Sequence, residues 1–172
     1  MRKHYLSFLT LLFAGFLLLG GRAVLKAQQS SSSAVKGGRW SDSATWADKK
    51  VPAEGATVTI DKGMDVVLDV SLPALRSLTV NGKLSFANNK DLELTTEWIM
   101  LHGELEIGSE KTPHARKATI TLTNNVPGED IDTMGDRGIM LMGGTLSLHG
   151  NRKDSWTKLE KQPPRAATQS KS

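Results

Sequence analysis

Nine short runs in this chain repeat apolar residues with a period of two, seven of them with a polar residue between, and turn residues separate them. The runs are Val58-Thr-Ile60, Val66-Val-Leu68, Leu78-Thr-Val80, Leu84-Ser-Phe86, Leu92-Glu-Leu94, Leu105-Glu-Ile107, Ile120-Thr-Leu122, Ile139-Met-Leu141 and Leu146-Ser-Leu148. A period of two sends successive side chains to opposite faces of a strand, so each alternating run offers one apolar face to a core and one polar face to water. Beyond the amino-terminal leader no window sustains a helical period, and the pattern predicts an all-β domain.

A unit Gly-x-Leu-x-apolar recurs within these runs as Gly82-Lys-Leu84-Ser-Phe86, Gly103-Glu-Leu105-Glu-Ile107 and Gly144-Thr-Leu146-Ser-Leu148, at intervals of 21 and 41 residues. Since the second interval is about twice the first, one unit per turn of a parallel β-helix fits. A copy degraded around Ile120-Thr-Leu122 would fill the gap, and the glycines would mark sharp corners between strands. The rival is a β-sandwich of hairpins, for which Asn81-Gly82 supplies the usual two-residue turn. Periodicity alone supports both equally.

Residues 1–27 begin Arg2-Lys3-His4, continue into an apolar run from Tyr5 to Gly20, and read as a signal peptide. The run is shorter than the roughly 20 residues that cross a bilayer comfortably, and this predicts a secreted, extracellular protein with no membrane insertion after cleavage. Arg22 and Lys26 in the cleavage region leave an amino-terminal membrane anchor as the alternative. Residues 28–37 read as a Ser-rich linker, 38–160 as the domain, and 161–172 as a disordered basic tail. The formal charge of +4 belongs to the leader and the tail: residues 28–150 hold 12 basic against 16 acidic residues. A mildly acidic domain lacks the clustered basic face that nucleic acid requires, so no nucleic-acid partner is expected. The chain has no cysteine, so the core alone must hold it together.

Trp40-Ser-Asp42-Ser-Ala-Thr45-Trp46 places two of the four tryptophans six residues apart. A flat indole can stack on a sugar face while Asp42 accepts hydroxyl hydrogen bonds; alternatively, both rings plug the open end of the β core. His102 and His149 each occur in Leu-His-Gly, but they fall at different positions of the repeat, which argues against a shared site. Asp61, Asp65 and Asp69 alternate with apolar residues and read as a solvated strand face. Glu129, Asp130, Asp132 and Asp136 lie in a loop, where solubility is the default and calcium the alternative. No cofactor and no transition-metal site is expected. No phosphate-cradling glycine loop, Gly-x-Ser-x-Gly elbow or nucleophile-base pair is present, so catalysis is not expected.

Several of these residues together resemble the G8 domain, an extracellular module named for eight glycines and carried by hyaluronidases of the cell surface, by fibrocystin and by exported bacterial proteins. They are Trp40-x-Asp42-x-x-Thr45-Trp46, Pro52-x-x-Gly55, Gly63, Leu78-x-Val80-x-Gly82-x-Leu84, Gly103-x-Leu105-x-Ile107-Gly108, Ala118-x-Ile120-x-Leu122, Gly143-Gly144-x-Leu146-x-Leu148-His149-Gly150 and Ser155-Trp156-Thr157-x-Leu159. Asn124-Asn125 depart from the pattern, standing where the family often has glycine. Hyaluronan-linked members continue into a long β-helical region after the tryptophan, and activity that depends on that region does not carry over.

The resemblance and the repeat together favour a short right-handed parallel β-helix or β-roll, with structural glycines at Gly55, Gly63, Gly82, Gly103, Gly108, Gly143, Gly144 and Gly150. The implied role is a non-catalytic module that binds an extracellular polysaccharide or glycosaminoglycan such as hyaluronan, through Trp40, Asp42, Trp46, His149 and Trp156. A fragment of a hyaluronan-depolymerising enzyme and a cell-surface module with a protein partner are the alternatives.

Overall fold

The computed structural model describes residues 30–131 and 133–151. The expected signal peptide, basic tail and Trp156 all lie outside them. Twelve strands follow in chain order: β1 Ser31–Ala34, β2 Gly38–Arg39, β3 Thr57–Ile60, β4 Asp65–Leu68, β5 Ser77–Val80, β6 Lys83–Phe86, β7 Leu92–Thr96, β8 Trp98–Leu101, β9 Glu104–Ile107, β10 Ala118–Leu122, β11 Gly138–Leu141 and β12 Thr145–Leu148. The chain is all-β, with a single 3-10 turn at Ser43–Thr45 among the described residues.

Each of five passes of the chain deposits one strand in the first sheet and one in the second, and the third and fourth passes add one to a third sheet. The first sheet has the order β1-β3-β5-β8-β11, the second β12-β9-β6-β4-β2, and the third pairs β10 with β7. Every one of these pairings is parallel. Parallel neighbours need a crossover between them, whereas hairpins produce antiparallel pairs, so the β-sandwich of hairpins is excluded. Asn81-Gly82 does not close a hairpin; it turns the chain from β5 in the first sheet to β6 in the second. The arrangement is consistent with a β-helix or β-roll.

Register explains the alternating runs. Ile60 stacks on Val80, Val80 on Leu101 and Leu101 on Leu141, while Val66 stacks on Leu84, Leu84 on Leu105 and Leu105 on Leu146. Coils about 4.8 Å apart thereby line up like side chains in columns that are dry up to the fourth coil. Ile60, Val66, Val80, Leu84, Leu101 and Leu105 are all fully buried. Outward-facing side chains pair across coils instead: the ammonium of Lys83 meets Glu104 at 3.5 Å and Glu106 at 2.7 Å.

The repeat carries a second lesson. Leu84, Leu105 and Leu146 are direct neighbours in adjacent coils, so no coil intervenes between the second and third copies. Ile120-Thr-Leu122 is not a degraded copy: it lies in β10, on the third face of the fourth coil. The 41-residue interval is one long turn, in which residues 123–131 and 133–137 lie outside any strand before the chain re-enters the first sheet at β11. Arg76, just before β5, ties this loop down by pairing with Glu129 as well as with the buried Glu97.

The Ser-rich linker reading of residues 28–37 also needs correction. Ser31–Ala34 is strand β1, in register with β3 from Ser31 opposite Thr57 to Ala34 opposite Ile60. Ser32 and Ala34 are small enough to sit buried at inward positions of the first coil, where a polar composition disguised a strand.

Candidate functional site

The Trp40–Trp46 segment folds back on itself for reasons visible in its own residues. Asp42 caps the 3-10 turn by accepting from the Ala44 amide at 2.9 Å, and Thr45 donates its hydroxyl to the Arg39 carbonyl at 2.9 Å. The reversal brings the two indoles together edge to face with centroids 4.7 Å apart. The Trp46 indole N–H donates to the Trp40 carbonyl at 2.9 Å. Ser41 fastens the segment to the second coil, donating from its amide at 3.0 Å and its hydroxyl at 2.7 Å to the Asp69 carboxylate.

This geometry decides what the tryptophans can do. Both are fully buried, at 0% exposure, so neither offers a face to a sugar, and the plug reading describes them. Asp42 is exposed, but its oxygens serve the cap and a 3.7 Å ion pair with Lys36. Asp69 is not part of a solvated strand face. Burial alone would raise its carboxyl pKa, but the two Ser41 hydrogen bonds and the Arg39 charge outweigh that and hold it below its ordinary value.

His149 stands at the opposite end of the molecule, following β12, which is the far edge of the sheet that β2 begins. The structure therefore does not bring His149 together with Trp40, Asp42 and Trp46. His102 turns the corner from the first sheet to the second and is not near His149 either, which follows the second sheet. The His149 amide donates to the Ile107 carbonyl at 2.8 Å, and its own carbonyl accepts from the His114 amide at 2.6 Å. These bonds set its half-buried side chain along a groove of about 440 Å³, shared with Ser109, Glu110, Lys111, Pro113 and Gly150. Beneath it His114 is buried against Phe86, ring centroids 6.5 Å apart, and neither ring nitrogen has a hydrogen-bond partner. Burial pushes the His114 pKa down, and Asp91 only partly opposes this.

The groove residues other than His149 and Gly150 belong to the 108–117 turn, which carries no strand period. Lys111, His114, Arg116 and Lys117 within seven residues were the available signal.

The glycines divide by cause. Gly82, Gly103 and Gly144 stack at one corner, and a Cβ on Gly103 would meet the Gly82 and Asn81 carbonyl oxygens. Gly55, Gly63, Gly108 and Gly143 have positive φ, between 71° and 84°. Gly150 shows neither crowding nor positive φ, so no structural requirement for glycine is visible there. Among the described residues no group of three or more His, Asp or Glu side chains comes together to hold a metal ion. In the acidic loop, Glu129 pairs with Arg76, Asp130 accepts from the Gly135 amide and Asp136 lies 3.6 Å from Arg137, contacts that brace the loop.

The sequence profile of the G8 domain matches residues 45–160. The chain belongs to the G8 domain family. It is 35% identical to human fibrocystin-L over 123 residues, which is 70% of this chain and 3% of that protein. It is 36% identical to mouse fibrocystin over 116 residues, 66% of this chain and 3% of that protein. To the human cell surface hyaluronidase CEMIP2 it is 37% identical over 116 residues, 62% of this chain and 8% of that protein. The G8 chain thus spans a small part of the length of the curated relatives it matches. No solved structure matches it. Among the described residues no helix of this G8 domain is long and apolar enough to cross a membrane.

Proposed function

We propose that this G8 domain is a secreted, extracellular module that binds a polysaccharide or glycosaminoglycan, with hyaluronan the leading ligand, and does not cut it. The scaffold in this reading is a short right-handed parallel β-helix, and the groove beside His149 is the binding site. The observation that carries the reading is the composition of that groove: one lysine, one glutamate, one half-buried imidazole, a serine, a proline and a glycine line a concavity of about 440 Å³. Lys111 can donate to a sugar carboxylate, while the His149 ring offers a flat face and a polar edge to the pyranose beside it. The likeness to a protein named as a cell surface hyaluronidase supports hyaluronan over other chains.

Two features favour binding without cleavage. Glycoside hydrolysis uses two carboxylates flanking the scissile bond, and among the described residues Glu110 is the single carboxylate lining this groove. The domain is mildly acidic outside its basic ends, so affinity comes from a few local contacts and depends weakly on salt.

Retention of the full chain on immobilised hyaluronan at low salt tests the reading. The wild type is expected to be retained, and a Lys111→Ala/His149→Ala double variant to bind about tenfold more weakly, as loss of a charge-assisted hydrogen bond would give. Absence of retention by the wild type rejects hyaluronan as the ligand, and shortening of the polymer on incubation would move the chain to the depolymerising enzymes.

A further inference from the structure

Under the His149 groove sits a histidine whose polar atoms have no partners. His114 is 4% exposed, and both ring nitrogens are buried without a hydrogen bond. Phe86, at the end of β6, meets the ring edge to face, so the side chain is packed as an apolar one would be. The backbone of the same residue joins the two chain segments that line the groove. Ser109, Glu110, Lys111 and Pro113 come from one segment, His149 and Gly150 from the other. The His114 amide donates to the His149 carbonyl at 2.6 Å, and His114 bridges to Gly150 in parallel. On either side Asn88 clamps the turn, donating from Nδ2 to the Pro113 carbonyl at 3.0 Å and accepting from the Ala115 amide at 2.7 Å.

Protonation is the event that this position resists. A proton would place a charge beside Phe86 with no acceptor at either nitrogen, whereas water would solvate the same charge outside. The surrounding elements supply little compensation. The turn after β6 carries Lys90 and Asp91, the coil end after β12 carries His149, and the ring's own turn carries Glu110, Lys111, Arg116 and Lys117; all but the half-buried His149 are exposed. Asp91 favours the proton, but its carboxylate already accepts from the Lys117 amide at 3.1 Å, and burial outweighs it, leaving the His114 pKa below the ordinary 6.5. Because a proton binds more readily once the ring is in water, falling pH shifts the balance toward an opened turn.

We propose that His114 is an acid-operated latch on the groove: in mildly acidic solution the ring takes up a proton, leaves its place against Phe86 and frees the 109–113 turn from His149 and Gly150. The device is reversible, since only a proton is exchanged with solvent. Its consequence for a ligand, holding near neutral pH and release in acid, rests on the reading of the groove as a saccharide site. The movement of the turn does not depend on that reading.

Amide hydrogen exchange in the full chain, corrected for the intrinsic effect of pH, reads the latch directly. The His114 and Ala115 amides report the turn, while the Gly103 and Glu104 amides, bonded to the Val80 and Gly82 carbonyls at 2.8 Å, report the coil stack. Between about pH 7.5 and about pH 5, protection of the first pair should fall at least about tenfold more than protection of the second. His114→Phe should abolish the difference, with His114→Leu in its place if that variant does not fold, and a His149→Ala background should preserve it. Protection of the turn that ignores pH, parallel loss at all four amides, an equal local loss in the His114 variant, or loss of the effect in His149→Ala each overturns the proposal. Retention on immobilised hyaluronan at the same two pH values keeps the two readings apart: a turn that opens in acid, with no retention at either pH, upholds the latch and rejects hyaluronan as the ligand.

Discussion

Replacing Gly103 by alanine probes the coil stack at its tightest point. The corner glycines Gly82, Gly103 and Gly144 lie one above another, and a Cβ at 103 would stand 2.6 Å from the Asn81 oxygen and 2.8 Å from its carbonyl carbon, besides overlapping the Gly82 oxygen. These are backbone atoms already committed to the ladder: the Gly103 amide donates to Val80 at 2.8 Å, and Glu104 donates to the Gly82 carbonyl at 2.8 Å. They cannot move aside as a flexible side chain would, so the cost belongs at the upper end of overpacking, about 3 kcal/mol. With a urea slope of about 1.5 kcal/mol per molar, the unfolding midpoint should fall by about 2 M, as read by circular dichroism. Two controls separate the causes. Gly63→Ala has open space but φ of 83°, and should cost about 1–2 kcal/mol. Gly150→Ala, with neither restriction, should stay within about 0.5 kcal/mol of wild type. A Gly103→Ala protein as stable as Gly150→Ala would refute the close stacking of coils at this corner.

Arg76→Met should destabilise by about 3–5 kcal/mol in urea, because Glu97 is 2% exposed and would be left as a buried unpaired charge; restoring stability with a second change, Glu97→Gln, would confirm the cause. Trp46→Phe removes the indole bond to the Trp40 carbonyl and leaves a gap in the plug, and a loss of about 2–3 kcal/mol is expected. Two acid-sensitive steps should appear in stability against pH. Because burial lowers the His114 pKa, its contribution is full above about pH 6.5 and declines as pH falls through that value, a decline that His114→Phe should abolish. Asp69, whose folded pKa is lowered on balance by Ser41 and Arg39, contributes fully above about pH 4; the loss below that should vanish in Asp69→Asn, at the expense of lower stability at neutral pH.

The strands with one solvated face were legible because their side chains obey the period of two. Val58-Thr-Ile60 in β3 and Leu105-Glu-Ile107 in β9 each put apolar residues inward and polar ones outward. Strand β8 was not legible, since Trp98-Ile-Met-Leu101 keeps apolar residues on its outward face too and the alternation disappears. Strand β1 failed in the opposite sense, with serine and alanine filling inward positions that the reading reserves for larger apolar residues. The 41-residue spacing misled because a long loop and an extra coil add the same number of residues, and only register distinguishes them. At the site, Trp40 and Trp46 were visible as a motif, but a buried plug and a sugar platform use the same residue types. His149 was placed through its Leu-His-Gly motif. Its partner Lys111 sits in a turn without periodicity, and the chain fold alone brings the two together.

The proposed function stands or falls on where a ligand touches the chain. Backbone amide spectra of isotope-labelled protein, titrated with hyaluronan oligosaccharides, should show saturable shifts concentrated at Ser109, Lys111, His149 and Gly150, with Trp40 and Trp46 unmoved. Shifts confined to other surfaces, or none at saturating oligosaccharide, would contradict the assignment of the His149 groove as a glycan-binding site.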